Sequence, residues 1–583
     1  MRRGWTVVLA LSLAAALGGC IRIPDSGPVH SADTVTAAPG DQGQRFEPRG
    51  PQPGESSQEL VRHFFEAMTA SPMSVTVARQ FLTKSASSDW RPERGFLVYS
   101  SKVSPSGSDT VRVNLTGVNR FDSRGAWQER ASGGEHDLSF RIETENGERR
   151  IASVPDLLMV SEPWFETQTL PLSLYFFDPD TRTLVPEPVF VPRGDQMPTL
   201  LIRSLLEGTP DPRIEQTFVP AGTTLSGLSV TVRADGVAEI PLSGDLANAP
   251  EQTVELMAAQ FAWTLRQVQG VNAIRITVDG EPLPLSGGGP DYPVSRAASF
   301  DPAGTHTLGE LYGLHDGVVV RVVDGEEEPV LGPFGQRDIG ARTFAVNLDA
   351  SRLAAITASG TRVVLGGLSE SDESRARTVV RDGVDLLKPS WDVASRLWLV
   401  DRNGGRAVVS VLLEDDEGSV TRQVVEVPGV SGRDVVDLTI SRDGTRLVAA
   451  LRGPDGDRIV LSRIFVAGAE AQVRSTNARR IVVGAGERLQ IRDLGWRSPT
   501  SLFYLNVLGG RQANLRSALI DGSPTAFDPA AYSGVFPDLG TRVVTSPRPE
   551  EPTYLQRAGG GYQGVGEGSP AIPEGVTALT YVG

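Results

Sequence analysis

Four leucines, Leu353, Leu397, Leu447 and Leu502, recur at steps of 44, 50 and 55 residues in similar local contexts. The segment from Phe344 to Ala355 lays over the segment from Leu438 to Ala449, with Asp349 and Asp443 each four residues before its leucine. Trp391 and Trp496 each stand six residues ahead of Leu397 and Leu502. Steps of about 45 residues carrying several short strands are the pattern of propeller blades. Apolar strand segments at 317–323, 406–413, 458–466 and 480–483 fit between the repeats. The aspartate carboxylates are expected to bind turn amides and hold each strand–turn–strand junction. Residues 300–583 suffice for about six blades at roughly 40–50 residues each. The final segment, Val576 to Val582, is placed to pair with the first blade, close the ring and remove exposed strand edges.

The 583 residues exceed what one propeller needs, so further domains precede it. The 63 glycines and 41 prolines, scattered between short apolar runs, favour turn-rich β structure over helical bundles. A net charge of −15 disfavours nucleic acid or anionic lipid as the main partner. Only three residues are lysine, Lys84, Lys102 and Lys388, so the positive charge is nearly all arginine. That skew points to a GC-rich genome, such as that of an actinobacterium.

The one cysteine, Cys20, follows Leu17-Gly18-Gly19. Arg2 and Arg3 precede an 11-residue apolar run, Val7 to Leu17, broken only by Ser12. A charged start, a short apolar run and small residues before the cut are the parts of an export signal. The run is too short to span a bilayer, which takes about 20 residues. The arrangement resembles a bacterial lipobox, which implies cleavage after residue 19 and fatty acylation of Cys20. The alternatives are an ordinary secretory signal with an incidental cysteine, or an uncleaved anchor. Two or three acyl chains would hold the chain firmly to a membrane, on its extracytoplasmic face. A lone cysteine forms no intramolecular disulfide, so stability must come from packing. Residues 20–54, with Pro24, Pro28, Pro39, Pro48, Pro51 and Pro53 and few large apolar side chains, read as a flexible tether.

Residues 55–168 open on Ser56 and Glu59 at capping-box spacing, with Leu60, Phe64 and Ala67 or Met68 on one helical face. A second helix is expected around Val75, Ala78, Phe81 and Leu82, followed by strands at 95–99, 110–115, 136–142 and 150–154. Helices followed by a curved antiparallel sheet resemble the NTF2-like α+β fold.

Residues 169–290 run strand (172–178), helix (197–207), strand (236–242), long helix, strand (273–278). The long helix is expected to be capped by Asn248 or Ala249, to carry Pro250 in its first turn, and to end at Gly270. Val254, Met257, Ala258, Phe261, Leu265 and Val268 form its apolar stripe, and Asp279-Gly280 makes a tight turn. This order resembles the α/β GerMN domain of sporulation and germination proteins, which implies an extracytoplasmic assembly or binding module.

The chain thus reads as a multidomain protein: signal peptide 1–19, lipidated tether 20–54, NTF2-like α+β module, α/β GerMN module, and all-β propeller. That order resembles the LpqB family of actinobacterial lipoproteins. The resemblance implies contact with the extracellular domain of the Mtr sensor histidine kinase, and through it an influence on cell division and envelope homeostasis.

No catalytic, cofactor-binding or metal-binding residues are expected. His30, His63, His136, His306 and His315 lack metal-ligand spacing, and no cysteine neighbours them. There is no nucleophile elbow of the glycine-x-serine-x-glycine kind. Gly559, Gly561 and Gly564 have a dinucleotide-type spacing, but Gly566, Gly568 and Pro570 preclude the helix that would cradle a phosphate. The runs 326–328 and 414–417 read as solvated hairpin tips. The leading expectation is a non-catalytic, membrane-anchored accessory protein. The alternative is an envelope carbohydrate-binding protein or hydrolase using the propeller's central cleft. A weaker option is ligand sensing inside the amino-terminal module.

Overall fold

Ser56 caps the first helix, Ser57–Ala67, as its spacing to Glu59 requires: the Glu59 amide donates to Ser56 Oγ and the Ser56 amide donates to Glu59 Oε2. A computed structural model gives this fold. It describes residues 46–583 apart from 131–134, 247, 287, 305–308, 371–374, 416, 469–470, 485–486, 510–511, 538–539 and 567. The helix buries Leu60, Val61, Phe64 and Phe65, and Phe64 meets the rings of Phe81, Trp90 and Phe140. Two shorter helices follow, Thr76–Gln80 and Lys84–Asp89.

The strands of this domain form two four-stranded sheets. One of them is mixed, because Phe96–Tyr99 pairs in parallel with Leu158–Ser161. The antiparallel expectation misses that four-residue strand, which is too short to carry a periodic signal, and the helix after it, Glu162–Gln168. The last part of the expected tether is held against the domain, since Phe46 and Ser71 exchange two backbone hydrogen bonds of 3.0 Å.

The second domain begins with a hairpin of two nine-residue strands, Thr169–Phe177 against Leu184–Pro192. Its sheet has Val237–Ser243 and Ala273–Val278 side by side in parallel, joined through the long helix Glu251–Leu265. This helix is buried nearly all round instead of along one stripe. Its two interior polar residues serve neighbouring backbone: Gln260 Oε1 accepts from the Phe218 amide and Thr264 Oγ1 from the Tyr175 amide. Pro250 is the N-cap, while Asn248 turns away to donate to Asp245. The helix stops at Leu265, before Gly270, where the Gln267 side chain brackets the edge of the hairpin, donating to the Ser173 carbonyl and accepting from its amide. Asp279 and Gly280 both take positive φ, 52° and 86°, in the tight turn expected there.

Among the described residues the remaining chain forms six sheets. Blades 2 to 6 start at Ala341, Ser390, Val435, Ile491 and Gly540. Blade 1 takes three strands from 311–329 and its innermost strand, Thr577–Tyr581, from the end of the chain. That strand stands between the inner strands of blades 6 and 2, so the six inner strands follow one another round a closed ring. Leu353, Leu397, Leu447 and Leu502 all lie in the second strand of their blades and are at most 1% exposed. Asp349 and Asp443 each accept the amide two residues on, at 2.9 and 2.8 Å, as the repeat predicts, and Asp392 of blade 3 does the same at 3.0 Å.

One expectation needs correction, and another needs it in part. Residues 326–328 form the strand Glu326–Pro329, in which Glu327 bonds His315 at 2.6 Å and Glu328 bonds Arg321 at 3.1 Å; the tip is Asp324-Gly325. Glu414 likewise ends a strand and binds Arg352 and Arg377 of blade 2, at 3.2 and 2.7 Å. Opposite charges on neighbouring strands of blade 1 hold Glu327 and Glu328, and a blade seam holds Glu414, while Asp415 and Glu417 stay exposed at the hairpin tip, as expected.

Candidate functional site

Arg446 and Arg463 sit directly opposite each other on the second and third strands of blade 4. Like charges facing across a ladder repel, so this pair needs anions from elsewhere. They come from the second domain. Glu187 Oε1 accepts from Arg446 Nη2 at 2.6 Å and from Arg463 Nη1 at 2.7 Å, and Arg463 also donates to Glu215. Asp443, whose Oδ1 holds the turn, turns its Oδ2 to Arg446 at 3.3 Å. Side-chain exposure is 3% for Arg446, 18% for Arg463, 16% for Glu187 and 0% for Glu215. Burial favours neutral carboxyls, yet the guanidinium groups of Arg463 and Arg446 outweigh it at Glu187 and hold that group at about 2. Burial, then the neighbouring charge of Glu187, pushes Glu215 well above its ordinary value. Two arginines thus face two carboxyl groups of the second domain, Glu187 and Glu215.

Three residues beyond Glu187, Phe190 enters an apolar junction. Phe121 and Phe165 come from the amino-terminal domain, Phe190 from the second and Phe527 from the loop after the third strand of blade 5. Phe165 lies 4.6, 5.4 and 5.0 Å, centroid to centroid, from Phe121, Phe190 and Phe527. All four are at most 3% exposed. Aromatic contacts at these spacings add about 0.5–1.5 kcal/mol each beyond their buried area.

At the ring closure, Arg442 donates to the carbonyls of Ala303 at 2.6 Å and Val582 at 2.8 Å, tying the interdomain connection to the last strand. Burial, then the charge of Arg548, lowers its guanidinium to about 9.

The central channel carries Lys388, Asp437, Asp493 and Arg542, all half-buried. Asp437 accepts the Leu494 amide at 2.9 Å and Asp493 the Val543 amide at 2.6 Å, so each carboxyl clasps the next blade. Burial raises both; at Asp493 the charge of Asp437 adds to it. Arg542 reaches across to Thr343 of blade 2 at 3.2 Å.

Cys20, the one site residue expected from sequence, lies outside the described residues, as do His30 and His306. The described histidines are not brought together: His63 bonds Glu55 at 2.8 Å, His315 bonds Glu327, and His136 lies in a strand of the amino-terminal domain. Gly560 and Gly561 form a hairpin turn before Gly564. Among the described residues no helix is long and apolar enough to cross a membrane, and no group of three or more His, Cys, Asp or Glu gathers as a metal site. Sequence reasoning missed Glu187, Glu215, Arg446, Arg463 and the four phenylalanines. The one local signal was the alternation Val185, Glu187, Val189, Val191, masked by Pro186, Pro188 and Pro192.

Three family models match the chain. "Lipoprotein LpqB, N-terminal domain" covers residues 50–166, "Sporulation and spore germination" 173–284, and "Lipoprotein LpqB beta-propeller domain" 317–535. The protein named Lipoprotein LpqB from Mycobacterium ulcerans is 30% identical over 84% of this chain and 85% of its own length. That from Thermobifida fusca is 28% identical over 90% of both chains. Among solved structures, the first GerMN domain of the sporulation protein GerM from Bacillus subtilis matches 22% of this chain and 99% of its own, at 21% identity and a TM-score of 0.19.

Proposed function

This chain belongs to the LpqB family of lipoproteins, and from that membership we propose that it is a non-catalytic accessory protein of the extracytoplasmic face. Fatty acyl chains on Cys20 moor it to the cell membrane. There its folded part binds the extracellular domain of the Mtr sensor histidine kinase and modulates signalling that bears on cell division and envelope homeostasis.

The observation that carries this reading is the buried quartet of Glu187, Glu215, Arg446 and Arg463. It joins the second domain to blade 4, as the phenylalanine junction joins all three domains. Charged groups engaged in this way build a preorganised body, and rigid partners lose less entropy on docking than flexible ones. A net charge of −15 favours a protein partner over nucleic acid or anionic lipid. The channel aspartates are committed to blade seams, which argues against a hydrolase working there.

The test is in-cell crosslinking of the lipidated chain, followed by affinity capture with the soluble part from residue 43. The sensor kinase should be recovered with the wild type, and Cys20→Ala should leave the membrane fraction and lose the crosslink. Failure to recover any sensor kinase from either experiment contradicts the reading.

A further inference from the structure

Tyr504, Arg516 and Ser533 are successive cross-strand partners in blade 5, one row across three strands. The row forms one wall of a cleft of about 360 Å³ whose opposite wall is Asn119 and Trp127 of the amino-terminal domain. Ligand sites of roughly 300–1,000 Å³, at domain interfaces, with aromatic walls and a few polar groups, are the usual form of small-molecule pockets.

The walls are preorganised. The Trp127 indole donates to Asn119 Oδ1 at 3.2 Å, and Asn119, fully buried, donates to the Gly117 carbonyl at 3.3 Å. The ring lies against Gly522, where an added Cβ would meet it at 3.2 Å. Tyr532 completes the aromatic lining, its own ring fixed edge-on to Phe503 at 5.5 Å.

The charge of the cleft selects among ligands. Arg516 Nη1 bonds Glu487 at 2.6 Å, so the guanidinium is neutralised while keeping further N–H donors on its fork. That wall suits neither a strong anion nor a cation. Ser533 adds a hydroxyl at the exposed end of the row. Aromatic faces with neutral, multivalent hydrogen-bonding groups fit a pyranose ring, whose C–H face packs on indole or phenol while its hydroxyls meet planar side chains. A bounded cavity of this size holds one or two rings, not an extended peptide.

We propose that this cleft between the amino-terminal domain and blade 5 binds a neutral saccharide of one or two pyranose rings. The site is distinct from the propeller channel. It makes the scaffold a sugar reader as well as a protein partner.

The test titrates the detergent-solubilised full chain with maltose, cellobiose and N,N′-diacetylchitobiose, followed by calorimetry and tryptophan fluorescence. Sedimentation with insoluble wall glycan forms a second arm. Saturable binding of at least one disaccharide supports the site; co-sedimentation in addition assigns its source to polymeric glycan, and disaccharide binding alone to free sugar. Trp127→Ala should weaken binding by up to about tenfold, the scale of one aromatic contact. Ser533→Trp fills the mouth from an exposed position and should abolish binding without changing the unfolding midpoint. Absence of binding to all three disaccharides, or binding undiminished in Ser533→Trp, overturns the proposal.

Discussion

Glu187 takes hydrogen bonds from two arginines that face each other across the blade 4 ladder. Removing one partner of a buried pair leaves a charge without compensation, which costs about 3–5 kcal/mol. Arg463→Ala should therefore lower unfolding free energy by about that amount in chemical denaturation. Burial raises Glu215 above its ordinary value, so Glu215→Gln, its neutral isostere, should stabilise the chain in chemical denaturation, and more so as pH rises above 4.5. The junction also sets a pH response. With its ordinary value at 4.5 and its folded value near 2, Glu187 binds a proton less tightly in the folded chain than in the unfolded one. Its contribution is full above pH 4.5 and lost as pH falls from there towards 2. Glu215, raised above 4.5, works in the other sense, its penalty growing as pH rises above that value. Melting curves between pH 6 and pH 2.5 should fall steeply below about 4.5 for the wild type and less so for Glu187→Gln.

Among the elements, the closing strand Thr577–Tyr581 and the phenylalanine junction make the sharpest predictions. Ala578, Leu579, Tyr581 and Val582 are all at most 9% exposed. Ending the chain at Gly575 should open the edge of Leu311–His315 and lower the melting midpoint by at least about 10 °C. Phe527→Ala should cost about 3–5 kcal/mol, the usual range for a buried aromatic. The ring closure and the leucine-bearing strands were legible because each repeats a local pattern. The hairpin strand Leu184–Pro192 was not, since Pro186, Pro188 and Pro192 read as breakers; in a two-stranded sheet every strand is an edge, where proline is tolerated. The end of Glu251–Leu265 was misplaced at Gly270 because Gln267 stops the helix through a contact with Ser173, 94 residues away. The ion quartet was invisible for the same reason. Glu187 finds Arg446 and Arg463 at separations of 259 and 276 residues, which no local period encodes.

On the scale of the whole molecule, buried charge and aromatic surface are placed where domains meet, and the account rests on the rigidity this gives. Cys20 is the only cysteine, so Cys20→Ala provides a background for two introduced labels. Leu228 of the second domain and Val424 of blade 3 are 92% and 62% exposed, and Leu228→Cys with Val424→Cys would carry spin labels without disturbing the core. Pulsed dipolar spectroscopy between them measures the interdomain distance distribution directly. The account predicts one narrow distribution in the parent chain that broadens when Arg463→Ala and Phe527→Ala are added. A broad or multi-peaked distribution in the parent chain would contradict it.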